Sequence, residues 1–285
     1  MKYTYLLIIF LVTPFAWCSR TVTDELGRTV VVPDHPHRLV CLMPSVVDDV
    51  YALGAGADVI AIPDYTKYPV EAKAKPSIGS PIAPSVETIV SMHPDLVLAD
   101  SNMSYSEPVE HLIKLGIAVF VLAPHGIEGI LQSELSLGRA LNREQAAQAL
   151  VARLRAREAA VRQRVNGKPV VSVLMPVGYN PIITIGGPSF ISQLIEIAGG
   201  RSITNDLKQE WPQISLEAVL SRAPQALILT RGSSAMSMDR IHEQPGWASM
   251  PAVKNNRIYY VDDRIGLSSP IVFDALEDLA RQLHP

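Results

Sequence analysis

Residues 84–100, PSVETIVSMHPDLVLAD, are echoed by residues 214–230, ISLEAVLSRAPQALILT. At an offset of 130 the two stretches share Ser85/Ser215, Glu87/Glu217, Ser91/Ser221 and Pro94/Pro224, and their apolar positions correspond. A second echo, LMP at 42–44 and again at 174–176, has an offset of 132. A period of about half the chain is too long for a solenoid and reads instead as two similar lobes.

Around the echo, short apolar runs bounded by Pro, Gly or Asp predict strands buried on both faces: RLVCLM (38–43), DVIAI (58–62), DLVLA (95–99) and AVFVLA (118–123). Helix-like segments alternate with them. VVDDVYAL (46–53) follows Ser45 as a candidate N-cap, VETIVSM (86–92) stops at Pro94, and EPVEHLIKL (107–115) stops at Gly116. The second half repeats the scheme with PVVSVLM (169–175), FISQLIEIAGG (190–200), LEAVLSR (216–222), ALILT (226–230) and RIYYV (257–261), adding PIITI (181–185) as an extra short strand. Strands alternating with helices imply parallel sheets. From Ile127 to Val165 the strand signal vanishes. NREQAAQALVARLRAREAAVRQRV (142–165), with Asn142 as N-cap and Gly167 as stop, predicts a helix of about 23 residues, roughly 35 Å long.

The expected fold is therefore α/β: two Rossmann-like lobes with central parallel sheets, joined by a single long backbone α-helix. The expected boundaries are 1–18 for a signal peptide, 19–126 for the N-terminal lobe, 127–167 for the linking helical segment and 168–285 for the C-terminal lobe. MKYTYLLIIFLVTPFAWCSR (1–20) supports the first of these: one early Lys precedes an apolar run too short to span a membrane, and small residues precede Ser19. Cys18 is alternatively a lipid-anchoring cysteine. Cys41, inside LVCLM, is expected to be inert core rather than a nucleophile.

With 48% hydrophobic and 19% charged residues the chain can build a globular core. Its net charge of −3 gives no electrostatic case for nucleic acid or an anionic membrane. Two cysteines cannot make a disulfide framework. No catalytic motif survives inspection. GAGAD (54–58) closes a helix instead of opening one, IGGPS (185–189) lacks the nucleophile-elbow spacing, and the seven histidines have no metal-ligand spacing. A first-row metal site from His125, Asp100 and Asp263 is conceivable. Otherwise neither enzyme nor cofactor chemistry is expected.

Taken in order, TVTDELGRTVVVPDHPHRLVCLMPS (21–45), YALGAGADVIAI (51–62), the 84–100 stretch, LGRALN (137–142) and GWASMPAVKNNRIYYVD (246–262) resemble the helical-backbone class III of periplasmic substrate-binding proteins. These proteins feed ABC importers for cobalamin, heme and ferric siderophores. NPIITIGGPSFISQLIEIAGG (180–200) and EWPQISLEAVLSRAPQALILT (210–230) most resemble the cobalamin-binding branch. The resemblance implies a monomeric periplasmic protein that captures cobalamin or a related corrinoid and hands it to an ABC permease with its ATPase subunits. It also implies that Glu87 and Glu217 dock onto permease arginines, one from each lobe, although each Glu also complements a helix dipole where it stands.

The ligand of such folds sits between the lobes, at the carboxyl ends of the strands. Candidates are Ser45, Tyr65, Tyr68, residues 78–82 and residues 100–103 (Asp100 to Met103) on one lobe, and Tyr179, Ile183, Trp211, Asp263 and Arg264 on the other. Trp211 is foremost, since a large ring in a polar loop is costly unless it covers something. Tyr65 and Asp263 match corrin-contacting residues of the cobalamin binders. Pro81, Asp100 and Ile183 stand where those proteins show aromatics, and Gly266 and Leu267 where they show charges, so heme and ferric siderophores remain alternatives. Tyr65, Tyr68 or His125 would serve heme as an axial ligand, and Arg231 and Arg264 an anionic siderophore.

Overall fold

In each half of the chain, runs of Val, Leu and Ile too apolar to face water form a four-stranded parallel sheet. The computed structural model describes residues 19–101, 107–231, 241 and 246–285. The expected signal segment 1–18 with Cys18, and Asn102 and Met103 of the expected cleft, lie outside the described residues. An antiparallel hairpin, β1 (Ser19–Thr23) and β2 (Thr29–Pro33), precedes the first sheet. That sheet has the order β4 (Val59–Ala61), β3 (Leu39–Cys41), β7 (Leu96–Asp100), β8 (Val119–Leu122), with the short hairpin β5 (Gly79–Ser80) and β6 (Ala83–Pro84) beside it. The second has the order β12 (Gly200–Ser202), β9 (Val171–Leu174), β14 (Ala226–Thr230), β15 (Ile258–Val261). The two sheets thus share one strand order, and β3, β7 and β8 are buried along their whole length.

The sequence echo is reproduced almost bond for bond. Helix α2 (Val86–Ser91) is capped by Ser85, whose hydroxyl accepts from Thr88 N, and α7 (Leu216–Arg222) by Ser215, accepting from Ala218 N, both at 3.2 Å. Ser91 and Ser221 donate back to the carbonyls of Thr88 and Ala218 at 2.8 and 2.9 Å. Each chain then passes through a left-handed residue, His93 (φ 47°) and Ala223 (φ 46°), before Pro94 or Pro224. Asp95 N and Gln225 N next reach the strand alongside, bonding Arg38 O at 3.0 Å and Ser172 O at 2.9 Å. The shared serines and prolines are thus the parts of one helix-to-strand connection used twice.

Two helix starts differ from expectation. Helix α1 is Pro44–Ala52 with Met43 at the N-cap, so Ser45 lies within the first turn; Pro44 begins the helix because its φ is already helical. Asn142 does not cap the long helix either. It adopts φ 56° in the turn between α4 (Gly126–Ala140) and α5 (Glu144–Val165). Helix α5 has 22 residues, about 33 Å, and Arg143 is its N-cap. The expected strand PIITI is β11 (Ile182–Thr184), which lies between two unforeseen partners, β10 (Pro176–Tyr179) and β13 (Gln213–Ile214). Further helices among the described residues are α3 (Glu107–Lys114), α6 (Phe190–Ile197), α8 (Pro251–Lys254) and α9 (Val272–Leu283).

Helix α5 presents Ala147, Leu150, Val151, Leu154 and Val161 to α4 and α9. One apolar cluster runs unbroken from Val46 and Val50 of α1, through Leu131 and Leu154, to Leu194 of α6 and Phe273 of α9. The lobes therefore share a core. Cys41 lies in it, fully buried as expected, and burial first, then the charge of Asp49, raises its thiol pKa beyond the reactive range. No helix among the described residues is long and apolar enough to cross a membrane.

Two carboxyls interrupt this core. Asp49 and Glu134 are 4% and 0% exposed. Burial, then the charge of Glu134, holds Asp49 well above the ordinary carboxyl range. Burial also pushes Glu134 up to about 8; Asp49 pulls it down, while Asp48 and Glu25 push it further up.

Leu154→Ala is expected to cost about 2–5 kcal/mol in urea unfolding, as deletion of a wholly buried side chain does. Between the ordinary Glu value of 4.5 and about 8, the unfolded chain releases the Glu134 proton while the folded chain keeps it, so stability falls as pH rises through that window. Glu134→Gln should therefore raise the melting temperature at pH 8 and leave it nearly unchanged near pH 4. Equal shifts at both values would refute this assignment.

Candidate functional site

Several candidate residues lie at or beyond the carboxyl ends of the parallel strands: Ser45 beyond β3, Tyr65 and Tyr68 beyond β4, Asp100 at the end of β7, and Asp263 and Arg264 beyond β15. On the first lobe the loop after β4 turns at Tyr65, which has φ 64° and is 80% exposed. Buried Thr66 pins this loop by donating to Pro63 O at 2.7 Å. Lys67 and Tyr68 follow and point across to the second lobe.

There, Asp262 caps a one-turn helix, Asp263–Gly266, by accepting from Arg264 N at 3.0 Å. The Lys67 ammonium pairs with the Asp263 carboxylate across the lobes. The Tyr68 hydroxyl lies 3.4 Å from Asp262 Oδ1 and 3.5 Å from Asp263 Oδ1, and the Arg264 guanidinium sits 5.6 Å above the Tyr68 ring, within cation–π range. Hydrogen bonding and charge from Asp263 raise the Lys67 pKa. Burial, followed by the charges of Asp262 and Asp263, raises that of Tyr68.

An ion-pair chain anchors the second lobe's side of this contact. Arg264 bonds Asp262 at 2.8 Å and Asp274 at 2.9 Å, and Asp274 bonds Arg157 of α5 at 2.6 Å. Burial alone would raise the Asp262 pKa, but the backbone amide and guanidinium of Arg264 outweigh it and leave the carboxylate below its ordinary range.

The structure thus brings Tyr68, Asp263 and Arg264 into contact. Asp100, at the end of β7, is 2% exposed and accepts from Ser268 at 3.5 Å across the lobes. Ser45 is buried in α1 at 4% exposure. The Tyr179 ring lies 6.2 Å from that of Trp247, in the apolar cluster of the second lobe. Ile183, on β11, packs over Gly178. Ile78 is buried, whereas Ile82, at the β5–β6 turn, is 82% exposed. His125 and Arg231 are exposed. Among the described residues no three His, Cys, Asp or Glu side chains group to hold a metal ion, so the conceivable set of His125, Asp100 and Asp263 is not assembled.

Trp211 is 45% exposed, on a loop with a specific seat. Gly186 N donates to Glu210 O at 2.9 Å and Gly187 N to Leu207 O at 3.1 Å. A β-carbon on either glycine would collide with the carbonyl of Gln209 or Asn205. The two glycines of IGGPS therefore hold the loop that carries Trp211. Lys67 has no local signal in the sequence, because its partner is 196 residues away.

Glu87 and Glu217 occupy the same position, second in the first turn of α2 and of α7, and both are exposed. Hydrogen bonds from its own backbone amide and from Ser215 keep the Glu217 carboxyl below its ordinary range.

The chain is 29% identical over 273 residues to the ABC transporter substrate-binding lipoprotein YvrC of Bacillus subtilis (strain 168), covering 93% of this chain and 85% of the relative. It is 28% identical over 223 residues to a vitamin B12-binding protein of Vibrio campbellii (strain ATCC BAA-1116), covering 78% and 80% of the two chains. The apo structure of a periplasmic heme-binding protein from Roseiflexus sp. RS-1 superposes with a TM-score of 0.79 at 26% identity, over 87% of this chain and 98% of that one. The family described as periplasmic binding protein matches residues 39–265, spanning both sheets and the helix between them, and the chain belongs to that family.

Proposed function

We propose that this chain captures cobalamin or a related corrinoid between its lobes and delivers it to the permease of an ABC importer. The observation that carries the reading is the exposure of large aromatic surface on both lobes at the strand ends: Tyr65 is 80% exposed and Trp211 45%. Water-exposed rings on pinned loops are suited to covering the faces of a broad, flat, partly apolar guest. Tyr65, Tyr68 and Trp211, with Asp263 and Arg264, are its contacts, and Tyr179 and Ile183 support the wall behind them. Buried Asp100 and Ser45 lie under the floor. The 28% identity to a vitamin B12-binding protein over most of both chains supports this ligand class. Heme is the second reading, because exposed Tyr65 offers a phenolic oxygen suited to an axial iron ligand.

Glu87 and Glu217 are the docking points, one carboxylate per lobe for matched arginines on the permease. The lobes run over 19–126 and 168–285 with the helical segment 127–167 between them. The chain works as a monomer in the periplasm, and residues 1–18 direct its export, with Cys18 as the alternative lipid anchor.

Cyanocobalamin, heme and a ferric hydroxamate, added separately, test the ligand by thermal shift and visible spectra. At a hundred times its Kd the true ligand adds about 2.7 kcal/mol of stability, and cyanocobalamin is expected to be that ligand. Trp211→Ala should weaken its binding by about tenfold or more at little cost in melting temperature; unchanged affinity would remove Trp211 from the site. Reversing both charges, Glu87→Lys with Glu217→Lys, should abolish uptake in cells while affinity stays unchanged, and normal uptake would exclude the docking role.

A further inference from the structure

The lobes meet at three depths. At the base, the buried Asp48 carboxylate of α1 accepts from Ile271 N at 3.0 Å, beside the shared apolar core. Midway, Ser268 donates to Asp100 at 3.5 Å. At the mouth stand the Lys67–Asp263 ion pair, the Tyr68 hydroxyl and the Arg264 guanidinium over the Tyr68 ring.

These contacts differ in how easily they break. The base is buried and its carboxylate accepts from a backbone amide, so parting it would cost a buried carboxyl one of its hydrogen bonds. The pair at the mouth is wet: the Lys67 side chain is 56% exposed and that of Asp263 28%. Such pairs are weak and screened by salt. The mouth is also asymmetric. Asp262 and Arg264 are tied through Asp274 to Arg157 of the backbone helix, whereas the Lys67 loop is held within its own lobe, by Thr66 donating to Pro63 O and Asp64 N to Gly79 O. A solvent-exposed, screened pair at the mouth with a firm base behind it is built to open and reclose.

We infer that Lys67 and Asp263 form a latch across the cleft mouth, which holds the empty clamp shut and opens to admit a ligand that takes the place of Lys67 on Asp263. The inference rests on reading the interlobe cleft as the ligand site. It also sets a preference on the guest: the Asp263 carboxylate, released from Lys67, favours hydrogen-bond donors such as amide side chains and disfavours carboxylates.

Spin labels on Glu87→Cys and Glu217→Cys, in a Cys18→Ser background, read the distance between the lobes without any ligand. Lys67→Met should enlarge the longer-distance population by about two- to fivefold, the range set by an exposed ion pair. Raising salt from about 0.05 to 0.5 M should do the same to the unsubstituted chain. Lys67→Asp combined with Asp263→Lys should restore the closed distribution, which a merely structural role for either residue would not produce. In stopped-flow mixing with cyanocobalamin, Lys67→Met should associate two- to fivefold faster and lose its salt dependence. A distance distribution indifferent to both Lys67→Met and salt overturns the latch, whether or not any ligand binds. Should the distances respond while cyanocobalamin, heme and ferric hydroxamate all fail to bind, the latch stands and the ligand assignment falls.

Discussion

Helix α5 buries Leu150, Leu154 and Val161 against α4 and α9, and the relation of one lobe to the other depends on that seam. Each of these side chains is worth about 1.5–3 kcal/mol when removed from water. A wide rotation of one lobe would have to expose several of them together with the Asp48–Ile271 bond, while a small one costs only the contacts at the mouth. The shared core therefore limits how far one lobe can turn against the other.

The same seam accounts for the electrostatics of the cleft. Arg157 leaves α5 to hold Asp274 and Glu277, Asp274 holds Arg264, and Arg264 holds Asp262. One jaw of the mouth is thus an extension of the backbone helix. The opposing jaw is shaped within its own lobe, by Thr66 donating to Pro63 O, Asp64 N to Gly79 O and Ser77 to the Asp64 carboxylate.

The parallel strands were legible because burial on both faces demands uninterrupted apolar runs, as in LVLAD and ALILT. The doubling was legible because the same helix-to-strand connection needs the same serines and prolines each time. Strand β12, Gly200–Ser202, was not: Gly-Arg-Ser has no strand character, and pairing with β9 makes it one. Ser45 and Asn142 were misplaced as caps because a competing residue decided the boundary, Pro44 in one case and the left-handed turn before Arg143 in the other. Of the candidate residues, Asp263 is named through the family resemblance and Tyr68 and Arg264 through their places beyond the strand ends, and these three meet. Lys67 and the Asp49–Glu134 pair were not seen, since only the folded chain brings such partners near each other.

The antiparallel sheet β10–β11–β13 gives the near-duplicate lobes a further consequence. Among the described residues this sheet stands on the second lobe alone, between β9 and the seat of Trp211, so lobes that duplicate each other in their parallel sheets differ in the surface that carries that ring.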